Sequence, residues 1–371
     1  MNVSDIRYWI WYNCALHGRP RAAYEIYKRI GNIEIIYRFK ESDYRRLGIT
    51  NEAVLKALCD KDLDYADRQL WYAENYNVTL IPIDSFRYPE ALKEISYPPV
   101  LLYVRGTHFE PQDEILVAMV GTRRCSEYGK KMSYEIACGL AELGVTVVSS
   151  MSSEIDVLAH QGCMSRSGKT IAVLGTGVNK AYPRGSKDLM LNIMNNGCVV
   201  SEYNFDGRTF ATFFRERNRI ITGLCKATII VEAGARSGAL TVAASAFEQN
   251  RDLFAVPGNA INPSSAGTNQ LLKTCARPVT CADDIIQEYE RIYPHLIKKK
   301  KYTAQKVEFD MPAEPGELEQ QILGIVREFP KSADELAREL RIDISAVNGA
   351  ITMLEMSNDI KEGSDGKYVP V

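Results

Sequence analysis

The sequence lacks any apolar run near the ~20 residues that a bilayer crossing needs, so no membrane span is expected. Its N-terminus, MNVSDIRYWIWYNCALHGRP, carries Asp5 and no long apolar stretch, and no signal peptide is expected. A net charge of −2 excludes a molecule that is basic throughout, so any anion site must be a local patch. The nine cysteines form no C-x-x-C pair and no histidine cluster accompanies them, a scatter that suits reduced cytosolic thiols and neither a disulfide framework nor zinc. G-x-G-x-x-G and G-x-x-x-x-G-K-[ST] are both missing, which removes the familiar dinucleotide and triphosphate loops. Also missing are a serine nucleophile elbow, a metal triad and paired carboxylates.

What is there is a chain of 371 residues, 46% hydrophobic and 25% charged, enough for two or three soluble domains with real cores. Residues 1–76 look helical. Pro20 and Gly31 bracket one helix, and Leu63, Ala66, Leu70 and Ala73 share a helical face in another. A proline-rich connector with short extended pieces follows. From about 113 to 290, apolar β-branched runs (EILVAMV, GVTVVSS, KTIAVLG, GCVVSEY, ATIIVEA and RDLFAVPG) alternate with amphipathic stretches of helical length. Six such runs predict a doubly wound α/β core whose parallel strands are buried on both faces. Residues 291–316 read as a charged linker, with Lys298 to Lys301 as a solvated run. Residues 317–371 read as three helices and a hairpin at Asp365-Gly366, the winged-helix order, with Ser332 and Glu335 spaced as a capping box.

An open parallel sheet binds ligands beyond the carboxyl ends of its strands. After the first run, residues 121–131 place Arg123, Arg124, Lys130 and Lys131 against Glu127, a local +3. Residues 207–219 place Arg208, Arg215, Arg217 and Arg219 against Glu216, again +3. After the fifth run, Ser237 and Gly238 open a helix, and free N–H groups at a helix start favour anions. The three loops are expected to meet around an anionic ligand, with arginine forks for phosphate oxygens. Phe213 is expected in the core. Phe214 is open between the core and a face for a base to stack on. Arg219 is open between the ligand and a pairing with Glu202 or Glu232. Arg124 and Arg217 are expected in polar surroundings, where their loss removes little packing. Asp156 and His160, four apart on a helix, suit a structural hydrogen bond better than a catalytic dyad. Glu202 and Glu232, each at a strand end, are the carboxylates placed for acid–base work.

These motifs carry a resemblance. VGTRRCSEYG, IDVLAHQGCMSRSGKTIAVLGTGVNKAYP, GCVVSEYN, RERNRIITGL, VEAGARSGALTVAASAFEQNRDLFAVPGN and AGTNQLL, in order from about 80 to 290, resemble the DprA or Smf family, the DNA-processing proteins of bacterial natural transformation. The resemblance implies a Rossmann-like core at 77–290 that binds single-stranded DNA and loads the RecA recombinase on it. It also implies a cytoplasmic homodimer without catalysis, metal or cofactor, a helical SAM or helix-hairpin-helix module at 1–76 and a winged-helix module at 317–371. Carried over by motif, Gly121, Thr122, Arg123 and Arg124 would take phosphates, and Arg217, Asn218 and Arg219 would complete the pocket. Phe214 would stack on a base, and Ser237, Gly238, Thr268 and Asn269 would line the rim.

One stretch departs. Many members read S-G-x-A-R-G-I-D after the second strand, where this chain reads SSMSSEID, Ser149 to Asp156. A cation is lost and Glu154 is gained, which implies an altered DNA path, a lower affinity or a changed ligand. The other reading is a nucleotide-cleaving enzyme, since related Rossmann-like families with P-G-G-x-G-T loops release bases. Here Pro257 to Thr268 reads PGNAINPSSAGT, without the double glycine.

The third helix of the C-terminal module, ISAVNGAITMLEMSND, has no Lys or Arg, whereas a recognition helix needs donors to phosphates and base edges. Deleting residues 313–371 should therefore leave oligonucleotide binding by the core intact in a direct binding titration.

Overall fold

The computed structural model describes residues 3–183, 185–207, 209–297, 316–356, 359–363 and 365–371. Arg208 and the Lys298–Lys301 run lie outside them. The chain divides near Lys300 into two compact units.

The first unit is built on nine strands: β1 (Val78–Pro82), β2 (Leu101–Gly106), β3 (Leu116–Val120), β4 (Thr146–Ser149), β5 (Thr170–Val173), β6 (Gly197–Ser201), β7 (Ala227–Ile230), β8 (Asp252–Ala255) and β9 (Arg277–Pro278). Their order is β1-β2-β6-β5-β4-β3-β7-β8-β9. All six runs expected from sequence are strands, and they pair in parallel from β6 to β8. The proline-rich connector supplies β1 and β2, which extend the sheet antiparallel beyond β6. Pro82 is tolerated because β1 is an edge, where a missing N–H breaks no ladder.

Burial on both faces follows from the alternation along each strand. In β3, Leu116, Ala118 and Val120 face one core, while Val117 and Met119 face the other. Helices Glu127–Glu142, Glu154–Ser165, Lys187–Asn196, Asn218–Leu224 and Ala239–Glu248 alternate with the strands along the chain. The helices between Val3 and Asn75 bring Trp9, Ile10, Tyr12 and Leu58 into the same core as Leu102, Ile193 and Val199. Helix Pro20–Ile30 starts on its proline and ends on Gly31 in the left-handed region, φ 71°.

The chain reverses direction across the sheet between β3 and β7. β4, β5 and β6 build outward on one side of β3, and β7 and β8 on the other. The connections from β3 and β7 therefore leave in opposite directions and open a crevice above their carboxyl ends. Among the described residues no helix is long and apolar enough to cross a membrane.

The second unit packs helices Glu317–Glu328, Ala333–Leu340 and Ile344–Met356 with a two-stranded hairpin, β10 (Ile360–Glu362) and β11 (Tyr368–Pro370). Ile322, Val326, Leu336, Val347, Ile351 and Leu354 form its own core. Ser332 and Glu335 make the capping box that their spacing predicts.

Close packing under the crevice has a testable consequence. Helices Glu127–Glu142 and Glu154–Ser165 touch at Gly162, where an added Cβ would lie 2.4 Å from the Tyr134 carbonyl oxygen and 3.1 Å from the Ala137 Cβ. Gly→Ala inside a helix usually gains about 1 kcal/mol. Here the backbone contact reverses the sign, and Gly162→Ala should cost about 1–3 kcal/mol by overpacking, read as a lowered urea midpoint.

Candidate functional site

The crevice is a cleft of about 610 Å³. Val120 to Arg124 reach it from β3, and Ser150, Ser152, Ser153 and Asp156 from β4. Phe214, Arg215, Arg217 and Asn218 come from the segment after β6, and Ser237, Gly238 and Thr241 from the segment after β7. The three loops expected to converge do converge, and the β4 loop joins them.

Arginine dominates the chemistry. Arg123, Arg124, Arg215 and Arg217 line the cleft, and none is in an ion pair among the described residues. Arg123, Arg124 and Arg215 are exposed. Arg217 is 4% exposed, which corrects the expectation of polar surroundings. Its Nη1 donates to the Val173 carbonyl and its Nη2 to Ser152 Oγ at 3.3 Å, while Nε has no partner. Burial lowers its pKa to about 10, Asp156 opposes that, and Arg123 adds like-charge repulsion. A cation held this way gains from an anion placed beside it.

Arg219, two residues on, is not in the cleft lining. Its Nη2 donates to Glu202 Oε2 at 2.6 Å, with both side chains under 10% exposed. Burial works against its charge, and Glu202 outweighs burial so that its pKa is raised. Tyr97 lies 5.0 Å from the guanidinium carbon. Of the two partners left open by the sequence, Glu202 is the one used. Glu232 instead accepts from Ser126 N–H at 2.8 Å and from the Ser264 hydroxyl. It lies so close to Gly129 that a Cβ there would meet Oε2 at 2.2 Å. Both strand-end carboxylates are thus held in structural bonds.

Phe213 is buried and stacked on Tyr203, with centroids 4.1 Å apart. Phe214 is half-buried in the cleft wall and packs against Tyr182, centroids 4.6 Å apart. Tyr182 is 46% exposed, an aromatic that motif reasoning passed over although it stands in the β5 loop. Asn218 lines the cleft and its Nδ2 reaches Thr241 Oγ1 at 3.3 Å. Thr268 and Asn269 are not in the lining. The Thr268 hydroxyl donates to the Ser265 carbonyl, and the Asn269 amide both accepts from and donates to the Gly258 backbone. They shape the Pro257–Thr268 loop from within.

The departing stretch is internally satisfied. Asp156 accepts from the Ser150 hydroxyl, from Ser152 N–H at 3.0 Å and from Ser153 N–H at 3.1 Å. Ser153 caps helix Glu154–Ser165 through Asp156 N–H. The Glu154 carboxylate meets Lys130 Nζ at 3.0 Å, and Lys130 also meets Glu127 at 2.9 Å. Asp156 and His160 do not bond to each other. Ser150 O can only accept, so His160 Nε2 donates to it at 2.7 Å, and Nδ1 lies 2.7 Å from Thr170 Oγ1, which also donates to the Val147 carbonyl at 2.8 Å. Among the described residues no group of three or more His, Cys, Asp or Glu could hold a metal.

A largely parallel sheet whose strand order reverses beneath an arginine-lined crevice defines a protein of the Rossmann-like class. Residues 79–290 match the family model of DNA recombination-mediator protein A, and residues 310–366 match the DprA winged helix domain. The chain belongs to the DprA/Smf family of DNA-processing proteins, and its second unit is that family's winged helix. DNA processing protein DprA of Streptococcus pneumoniae is 35% identical over 288 residues, 71% of this chain and 99% of the relative. The X-ray structure of DprA from that organism superposes with a TM-score of 0.66 at 31% identity, covering 76% of this chain and 97% of the other. DprA of Helicobacter pylori, whose structure concerns its single-stranded DNA binding mode, gives a TM-score of 0.52 at 28% identity over 58% of this chain and 97% of the other.

His160 gives the cleft floor a pH signature. Its pKa is lowered to about 4 by burial, from an ordinary value near 6.5. Between those values the unfolded chain binds the proton and the folded chain does not, so stability falls as pH drops from about 6.5 towards 4. The full effect is about 3 kcal/mol. Urea midpoints across that window should fall more steeply for the wild type than for His160→Gln.

Proposed function

We propose that the cleft binds single-stranded DNA and that the protein delivers the bound strand to the RecA recombinase during natural transformation. The carrying observation is the set of four arginines in one crevice, none in an ion pair among the described residues, with one of them, Arg217, withdrawn from water. Guanidinium forks match phosphodiester oxygens, and Phe214 with Tyr182 offers stacking faces beside them. Membership of the DprA/Smf family and the single-strand binding of the Helicobacter pylori protein support the polymer over a free anion.

On this reading Gly121 and Thr122 let the strand approach the β3 end, Arg123, Arg124 and Arg217 take phosphates, and Asn218, Ser237 and Gly238 frame the far wall. Arg219 holds the wall through Glu202, and Thr268 and Asn269 hold the neighbouring loop. Residues 1–76 act as a helical SAM or helix-hairpin-helix module, 77–290 as the DNA-binding core of a homodimer and 317–371 as a partner-docking module. The role is binding and delivery without catalysis, in keeping with two strand-end carboxylates committed to structural bonds.

Two measurements test this. Single strands should bind more tightly than duplex, with affinity falling linearly in log–log form as salt rises, because each neutralised phosphate releases counterions. Equal affinity for duplex, or a flat salt response, overturns the reading. Arg124→Ala should lose roughly ten- to hundredfold in affinity at an unchanged melting temperature, since an exposed charge-assisted contact is worth about 1.5–3 kcal/mol. Arg217→Ala should lose affinity and melting temperature together, because it also leaves the Val173 carbonyl without its donor.

A further inference from the structure

A second cavity, of about 470 Å³, lies where the N-terminal helices meet the loop after β6. Its wall combines rings and acceptors. Trp11, Tyr65 and Phe210 line it together with Asp60, Asp62 and Asn204. Phe210 is 51% exposed, and its ring meets Phe213 edge-on at 5.2 Å.

The acceptors are fixed and underused. Trp11 Nε1 donates to the Asp60 carbonyl at 2.6 Å and anchors that turn. Asp60 Oδ1 takes Asp62 N–H at 3.2 Å, and Asp62 Oδ1 takes Asp64 N–H at 2.8 Å. The second oxygen of each carboxylate has no hydrogen bond among the described residues, and neither residue is in an ion pair there. Asn204 is 4% exposed. Its Nδ2 donates to Tyr65 Oη at 2.9 Å and to Cys14 Sγ at 3.4 Å, while its Oδ1 has no partner. Gly207 closes that wall so tightly that a Cβ would sit 2.0 Å from Asn204 Oδ1.

Such a wall suits a flat ring that donates hydrogen bonds, and it repels phosphate. The cavity is also continuous with the cleft along the chain, since Phe210 lines the one and Ala211 and Phe214 the other. Lys180 stands at its edge with Nζ 3.3 Å from the Gly207 carbonyl oxygen, a cation for the phosphate that must stay outside.

We infer that this cavity is a nucleobase subsite for the strand leaving the cleft, and that it selects guanine over thymine. It rests on the reading of the cleft as a single-strand site. Phe210 stacks on the base, as aromatic platforms do in single-strand binding. The free carboxylate oxygens accept from the base edge, which single strands leave open to be read. Guanine presents its ring N–H and its exocyclic amine side by side, two donors for the free oxygen of one carboxylate and the remaining lone pair of its other oxygen. Thymine presents a single N–H between two carbonyls, which a carboxylate repels.

The test uses the full-length protein and two oligonucleotides, one all thymine and one with isolated guanines replacing some thymines. The guanine strand should bind about tenfold more tightly, the discrimination expected of one good two-point contact. Replacing those guanines by inosine, which lacks the amine, should remove most of that preference, and Asp62→Asn should bring the ratio close to one. Inosine acts on the unaltered protein, so the question is answered even if Asp62→Asn fails to fold. Equal binding of both strands, or a preference that survives both inosine and Asp62→Asn, overturns the subsite and leaves the cleft reading standing. Failure of both strands to bind overturns both.

Discussion

A guanidinium taken out of water must be compensated, and the crevice is organised by how two neighbouring arginines meet that demand. Arg219 is compensated within the fold, by a carboxylate at the end of β6. Arg217 is not. It has a strand-end carbonyl, a serine hydroxyl and an Nε without a partner, and its proton is held less firmly than usual. Desolvation of an ion costs several kcal/mol unless charge and hydrogen bonds make it good. The fold therefore spends one pair on stability and leaves one cation incompletely satisfied beside the ends of β4 and β5. That residual demand is what the proposed anionic ligand would meet.

The same division explains why RERNRIITGL can carry so much like charge. On a short helix, Arg217 and Arg219 point to different surroundings. Arg219 turns under the sheet edge towards Glu202 and Tyr97, and Arg217 towards the ends of β4 and β5. Arg215 stays exposed at the mouth. The apolar run that follows, Ile220 and Ile221, is buried and fixes the helix so that neither arginine can swing into water.

Much of this was legible in the sequence, for identifiable reasons. The six inner strands announce themselves because burial on both faces demands unbroken apolar runs. The loops at their carboxyl ends announce themselves because glycine, serine and arginine are of little use elsewhere in such a sheet. The antiparallel strands β1 and β2 were less legible, since they lie in a proline-rich connector and the edge strand β1 ends on Pro82, which an edge tolerates. Burial of Arg217 was not legible either. Its partners are a carbonyl and Ser152, 44 and 65 residues away, and backbone acceptors leave no signature in residue type. Thr268 and Asn269 look like rim residues by motif, yet their bonds run to Ser265 and Gly258 within their own loop.

The SSMSSEID stretch shows why a charge count along the chain is a poor guide to the charge a ligand meets. Glu154 adds an anion to the β4 loop, but Lys130 is drawn to it, so the carboxylate is half of an ion pair and is not in the cleft lining. The cost falls on the β3 loop instead. Lys130, shared between Glu154 and Glu127, is withdrawn from the +3 that residues 121–131 suggest. Ser153, standing where many family members carry arginine, is occupied as a helix cap, and Ser150 and Ser152 close around Asp156. The β4 loop therefore brings serines and the Asp156 carboxylate to the lining and no cation, and the cations of the cleft are Arg123 and Arg124 from the β3 loop and Arg215 and Arg217 from the segment after β6. On the proposed reading, a polyanion in this cleft finds its cations on the β3 loop and the segment after β6, and the β4 loop offers it hydroxyls beside one fixed carboxylate.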